Sequence, residues 1–345
     1  MSTSALTRSS LSTIPLCFAS CSLGSAEDDL PTRLQHLSVA GFDLIELSFP
    51  DLQAFASKLA GREVGEKDWD ELCAAGGEVK KVCEDLGLEV FILQPFGKYE
   101  GWKEGSEEKR EAWERVEGWV RIMKSVGVEL LQVGSSDAEG PKWDGRREVV
   151  VKDLQALCDR LAQEGFRMAY ENWCWSSHAP TSQDVYEIVQ AVDRDNIGCN
   201  FDTFQQAGAI WADPTKEDGL SNAPDRDARW QKSLEQLSQV PASKIAFLQI
   251  SDAYRPSPPL EDKTIEALRP RGRWSHDYRP FPYVEGGYLG ERVEEVTRAV
   301  LKTGFRGTLS MEVFDASRKG ELLGEYAKEA VQSMQKLLDA VAEEE

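Results

Sequence analysis

The chain has 345 residues, with 60 acidic against 40 basic side chains and a formal net charge of −20. Such a chain repels polyanions, which excludes nucleic acid and anionic membrane as partners. Three histidines are too few for a histidine-rich metal centre, and seven cysteines, an odd number with several inside strand-like runs, read as reduced thiols of a cytoplasmic protein.

Residues 1–13 are rich in Ser and Thr and lack the apolar core of a signal peptide, so a polar tail is expected there. A strand pattern spans 14–22 and a helical pattern 28–40. Ala40-Gly41 then leads directly into a second strand near 42–48. The same device, a helix end followed by Gly and a hydrophobic run, opens strands at 88–94, 128–134, 167–171 and 307–313, after Gly87, Gly127, Gly165 and Gly304. Gly closes a helix in the left-handed conformation, and the chain drops straight into a strand. Two more strand patterns lie at 197–202 and 245–250. Helical patterns at 107–126, 149–164, 182–192, 227–237, 290–303 and 321–343 fall between the strands. No apolar run approaches transmembrane length.

Eight strands alternating with helices predict a single α/β domain, a (β/α)8 TIM barrel over 14–340, with an acidic tail at 341–345. An open doubly wound sheet is the alternative. Against it, neither a Gly-x-Gly-x-x-Gly turn nor a P-loop is present. The segments 207–226 and 253–287 read as long loops after the sixth and seventh strands, on the face where barrel enzymes line their sites.

Four of the strand patterns finish on a metal-binding oxygen residue: Glu171, Asp202, Gln249 and Glu312. A polar group at the end of a buried apolar strand is costly without a partner. Four of them converging on one end of a barrel form an all-oxygen set suited to Mg²⁺ or Mn²⁺.

The runs Leu93-Gln-Pro-Phe-Gly-Lys-Tyr-Glu-Gly-Trp102, Glu171-Asn-Trp-Cys-Trp-Ser-Ser-His178, Phe201-Asp-Thr-Phe-Gln-Gln-Ala-Gly208, Phe247-Leu-Gln-Ile-Ser-Asp-Ala253 and Trp274-Ser-His-Asp-Tyr-Arg-Pro-Phe-Pro282 occur in a telling order and spacing. By them the chain resembles the fungal-type 3-dehydroshikimate dehydratases, members of the xylose isomerase-like barrels, also called the sugar phosphate isomerase/epimerase group. The resemblance implies one divalent metal ion (Mg²⁺ or Mn²⁺, with Co²⁺ a further option) on Glu171, Asp202, Gln249 and Glu312. It also implies a small anionic substrate, 3-dehydroshikimate, converted to protocatechuate through a metal-stabilised enediolate and loss of water. Gln249 stands where epimerases of this fold carry His, which favours dehydration. A homo-oligomer is left open.

The resemblance further suggests His178 as the group that moves the proton, and Glu46, at the end of the second strand, is a second candidate. Arg279 corresponds to an arginine placed on the substrate carboxylate. Another family arginine would fall at Gly97, so Lys98 next to it is the expected substitute. Gln205 stands where bacterial relatives carry His, and Trp175 is expected to wall the substrate ring. Two other readings stay open at this point: a sugar or inosose isomerase, epimerase or dehydratase on the same barrel, and a barrel that binds ligand without turnover.

Overall fold

Eight parallel strands close into a barrel in the computed structural model, which describes residues 5–25, 27–318 and 320–343. They are β1 (Leu16–Ala19), β2 (Leu44–Ser48), β3 (Glu89–Phe96), β4 (Leu130–Gly134), β5 (Arg167–Glu171), β6 (Ile197–Asp202), β7 (Ile245–Ile250) and β8 (Leu309–Met311). Consecutive strands are neighbours, and β8 closes onto β1. The glycine device works as expected: Gly41 (φ 103°) and Gly87 (φ 68°) both cap helices in the left-handed region. The N–H of Phe42 then returns to the carbonyl of Leu37, so the chain turns sharply into β2.

Side chains two apart on a strand share a face, and inside the barrel this produces two layers. The lower one is apolar and holds Ile92, Leu130, Ala169 and Phe247. Two residues further along the same strands stand Gln94, Gln132, Glu171 and Gln249, all buried. The barrel is therefore plugged with hydrocarbon below and lined with hydrogen-bonding groups at the carboxyl ends of its strands. Register fixes their neighbours. Glu171 lies opposite Asn200, Asp202 opposite Gln249, and Gln249 opposite Ser310.

Several elements depart from the sequence expectation. Helices Phe49–Ala60 and Trp69–Leu86 both lie between β2 and β3. The described part of the expected polar tail contains a short helix, Arg8–Leu11, and buries Leu6 and Leu11. The carbonyl of Leu6 accepts from the N–H of Glu343, so this segment is docked on the C-terminal helix Leu323–Val341 through its apolar residues. Val341, placed at the start of the acidic tail, is a buried end of that helix. Residues 1–4 and 344–345 of the two expected tails lie outside the described residues. The segment 207–226 begins inside helix Thr203–Ile210, and 253–287 contains helix Pro270–Asp277. That helix runs into the two-residue strand Tyr278–Arg279, which pairs antiparallel with Phe314–Asp315. No helix among the described residues is long and apolar enough to cross a membrane.

Candidate active site

Glu171 ends β5, Asp202 ends β6, and Glu312 directly follows β8. Their carboxylates meet, with one oxygen of each lying within 4.8 Å of the others. At that separation two ionised carboxylates repel by on the order of 3 kcal/mol if the effective dielectric is about 20. Burial pushes all three carboxyls up, and mutual repulsion adds to the rise for Glu171. Glu312 reaches about 7.

The chain offsets part of this charge. Asp202 Oδ1 caps helix Thr203–Ile210, accepting from the N–H of Phe204 at 2.7 Å and of Gln205 at 3.3 Å. Asp202 Oδ2 takes the Arg279 guanidinium at 2.6 Å, and Glu312 Oε2 takes it at 3.0 Å. Glu171 Oε2 accepts from Trp173 Nε1 at 3.0 Å and from Gln132 Nε2. Glu171 Oε1 is buried with no hydrogen-bond partner, at a cost of about 1–3 kcal/mol or more for a charged group. Three carboxylates facing a single guanidinium leave two negative charges over when ionised. A divalent cation would answer both that excess and the unpaired oxygen, so the residues present fit a hard metal ion.

Gln249 lies beside the cluster with its amide orientation fixed from both ends. Its Nε2 donates to both oxygens of Glu46, at 3.2 and 2.9 Å, and its Oε1 accepts from Asn200 Nδ2 at 2.8 Å. Glu46 is fully buried, and its carboxyl is raised well above its usual range by burial and then by Glu312. A cavity of about 330 Å³ opens next to the cluster and is lined by Cys21, His276, Val313 and Phe314. Gln94 Nε2 links the two, lying 3.4 Å from Glu312 Oε1 and 3.7 Å from Cys21 Sγ.

The other expected site residues divide. Arg279 reaches the cluster, but not as a group free to take a substrate carboxylate. Its Nε donates to Ser251 Oγ and its Nη1 to Ser275 Oγ, so every nitrogen is engaged once the two acids are included. His178 does not join the cluster. Its Nε2 lies 2.9 Å from Tyr170 Oη, whose hydroxyl donates to Glu100 Oε1. Tyr170 and Glu171 are successive residues of β5 and point to opposite faces, so His178 sits behind the strand, toward the helix layer. Burial lowers its pKa there.

Lys98 is exposed, and its backbone carbonyl serves Trp102 Nε1 and Arg115 Nη2. Gln205 is buried, with its Oε1 accepting from the N–H of Cys174 at 2.9 Å, so it fastens the loop after β5. Trp175 is buried and stacks on Trp173 with ring centroids 5.3 Å apart. Gln132, Gln94 and Trp173 were not expected at the site. Gln94 and Gln132, like Gln249, stand two residues past an inward apolar residue of their strand, and that alternation was the available signal.

A family model for the xylose isomerase-like TIM barrel matches residues 34–339. The chain belongs to the xylose isomerase-like TIM barrel family. Within it, a Neurospora crassa protein named 3-dehydroshikimate dehydratase is 33% identical over 87% of this chain and 86% of that relative. A Pseudomonas aeruginosa protein of the same name is 28% identical over 84% of this chain but only 37% of its own greater length. Among solved structures, the IOLI protein with a zinc atom superposes with a TM-score of 0.67 over 96% of this chain and all of its own, at 17% identity. That last likeness speaks for the shared barrel of the family.

Proposed function

We propose that this chain is a 3-dehydroshikimate dehydratase, a carbon–oxygen lyase that removes water from 3-dehydroshikimate to give protocatechuate. The observation that carries the reading is the buried Glu171–Asp202–Glu312 cluster in a chain 33% identical to a curated dehydratase. Glu171, Asp202 and Glu312 would hold one Mg²⁺, Mn²⁺ or Co²⁺ ion, with the Gln249 side chain as the fourth donor. Such an ion supplies positive charge that polarises a ketone and acidifies the neighbouring C–H.

The substrate's own chemistry sets the tasks left to the protein. A proton leaves the carbon next to the ketone, the hydroxyl on the following carbon departs as water, and a second proton shift makes the ring aromatic. Trp175, stacked on Trp173, is assigned as the flat wall for a six-membered ring. His276, an imidazole on the cavity wall, is assigned the proton transfer, in place of the enclosed His178. Arg279 supplies counter-charge to the cluster, and Glu46 holds the Gln249 amide. All seven cysteines are free thiols, which suits a reducing, cytoplasmic setting.

The test is direct. Purified protein given 3-dehydroshikimate and Mn²⁺ should develop the ultraviolet absorbance of protocatechuate, and chelation should stop it. Glu171→Ala and Glu312→Ala should lose both turnover and Mn²⁺ binding. An unchanged enone in the presence of bound metal would overturn the reading.

A further inference from the structure

Trp173 lies on a floor made by two glycines. At Gly134, the last residue of β4, an added Cβ would overlap the indole Cε2 and Cζ2. At Gly97, just past β3, it would come within 2.9 Å of the indole Cη2. Any other residue at Gly134 would therefore drive the ring off its seat. From the other side Trp175 stacks on the ring at an interplanar angle of 20°. The backbone N–H of Trp173 is fixed as well, donating to Ser135 Oγ at 3.0 Å.

An indole clamped this way has one polar atom, and it is committed. Nε1 donates to Glu171 Oε2, the oxygen that also takes Gln132 Nε2. The two donors occupy the same carboxylate oxygen and leave Oε1 unpaired in the buried cluster. Outer donors of this kind orient a metal-binding carboxylate, and their removal commonly costs ten- to a hundredfold in metal affinity.

We propose that Trp173 is a positioning residue for Glu171: the Gly97–Gly134 floor and the Trp175 stack hold the indole so that its N–H ties up Oε2 and turns Oε1 toward the cation site. This rests on the metal-site reading above. It makes the absence of side chains at positions 97 and 134 part of the site, since they give the ring its room.

The test is Mn²⁺ affinity, measured calorimetrically on the full chain, alongside thermal unfolding of the metal-free protein. Trp173→Phe keeps an aromatic ring and removes the N–H, and it should weaken Mn²⁺ binding roughly tenfold or more. Gly134→Ala, which keeps the N–H but displaces it, should produce a similar loss. The smaller Phe relieves the clash, so the double variant should bind about as well as Trp173→Phe alone, a strongly non-additive result. In protein carrying ¹⁵N-labelled Trp, the indole resonance that disappears in Trp173→Phe should shift on titration with Mg²⁺. Should Gly134→Ala fail to fold, Trp173→Phe and the indole resonance decide alone. If the wild type binds Mn²⁺ and Trp173→Phe binds it equally well, or the indole resonance stays still, the positioning role is wrong while the metal site stands. If the wild type binds no Mn²⁺, the metal reading falls and takes this role with it.

Discussion

Arg279 Nη2 lies 2.6 Å from Asp202 Oδ2, with both side chains almost completely buried. The same guanidinium reaches Glu312 through Nη1, so one planar fork bridges carboxylates from two different strands. A point-charge ammonium cannot do this. The rings of Phe204 and Phe314 lie 4.7 and 5.4 Å from the guanidinium carbon and shield the pairs from water. In metal-free protein this fork is the principal counter-charge to the cluster.

Arg279→Met should therefore destabilise the metal-free protein by about 3–5 kcal/mol, the usual cost of stranding a buried charge. Urea unfolding measures it. Mn²⁺ should raise the unfolding midpoint of the variant more than that of the wild type, because the ion restores positive charge that the variant lacks. A variant as stable as the wild type without metal would show that the fork does not carry the charge balance.

Glu312 gives a pH dependence with a definite sign. Its carboxyl titrates at about 7 in the fold, against about 4.3 in an unfolded chain. A raised acid favours the folded state fully at low pH, and that contribution is lost as pH rises through 7. Metal-free protein should lose this component of stability between those two values, and Glu312→Gln should flatten the loss. Mn²⁺ affinity should run the other way, rising across pH 7 because binding displaces the protons. Calorimetry on either side of pH 7, in buffers of different ionisation enthalpy, would count the protons released. Affinity independent of pH would contradict the assignment.

Much of the barrel is legible in the sequence because its signals are local. Gly41, Gly87 and Gly127 each close a helix and open a strand, and the periodicity needs no tertiary information. Helix Phe49–Ala60 escapes this logic. Gly61 does cap it at φ 64°, but the connection 62–68 follows instead of a strand. Glu171, Asp202 and Glu312 were readable as polar ends of apolar strands. The placement of His178 was not, because its distance along the chain from Glu171 says nothing about which side of β5 its loop takes. That depends on Tyr170 pointing outward to meet it. Arg279 was visible as a cation, but its partners belong to β6 and β8 and appear only once the barrel closes.

His178, in the connection after β5, and His276, in helix Pro270–Asp277, should therefore behave differently. His178→Ala removes one member of the buried Tyr170–Glu100 network and should cost about 1–3 kcal/mol of stability, with kcat close to wild type. His276→Gln should leave Mn²⁺ affinity and unfolding nearly unchanged and lower kcat by roughly 10²–10⁴-fold, the range expected for losing a proton-transfer group. Steady-state kinetics at saturating Mn²⁺, with urea unfolding of each variant, would separate them. If the pattern is reversed, the imidazole behind β5 belongs to the reaction and the one on the cavity wall does not.

Glu46 is a test of positioning against proton transfer. Both of its oxygens accept from Gln249 Nε2, while Asn200 holds the Gln249 oxygen. Together they allow the amide only one orientation. Glu46→Ala releases the nitrogen end, and Mn²⁺ affinity should fall roughly tenfold as an outer-shell loss. Glu46→Gln still offers an acceptor, so its loss should be smaller. Because the role assigned to Glu46 is to hold Gln249, saturating Mn²⁺ should bring kcat of Glu46→Gln back near the wild-type value. A deficit that persists at saturating metal would mean that the Glu46 carboxyl moves the proton itself.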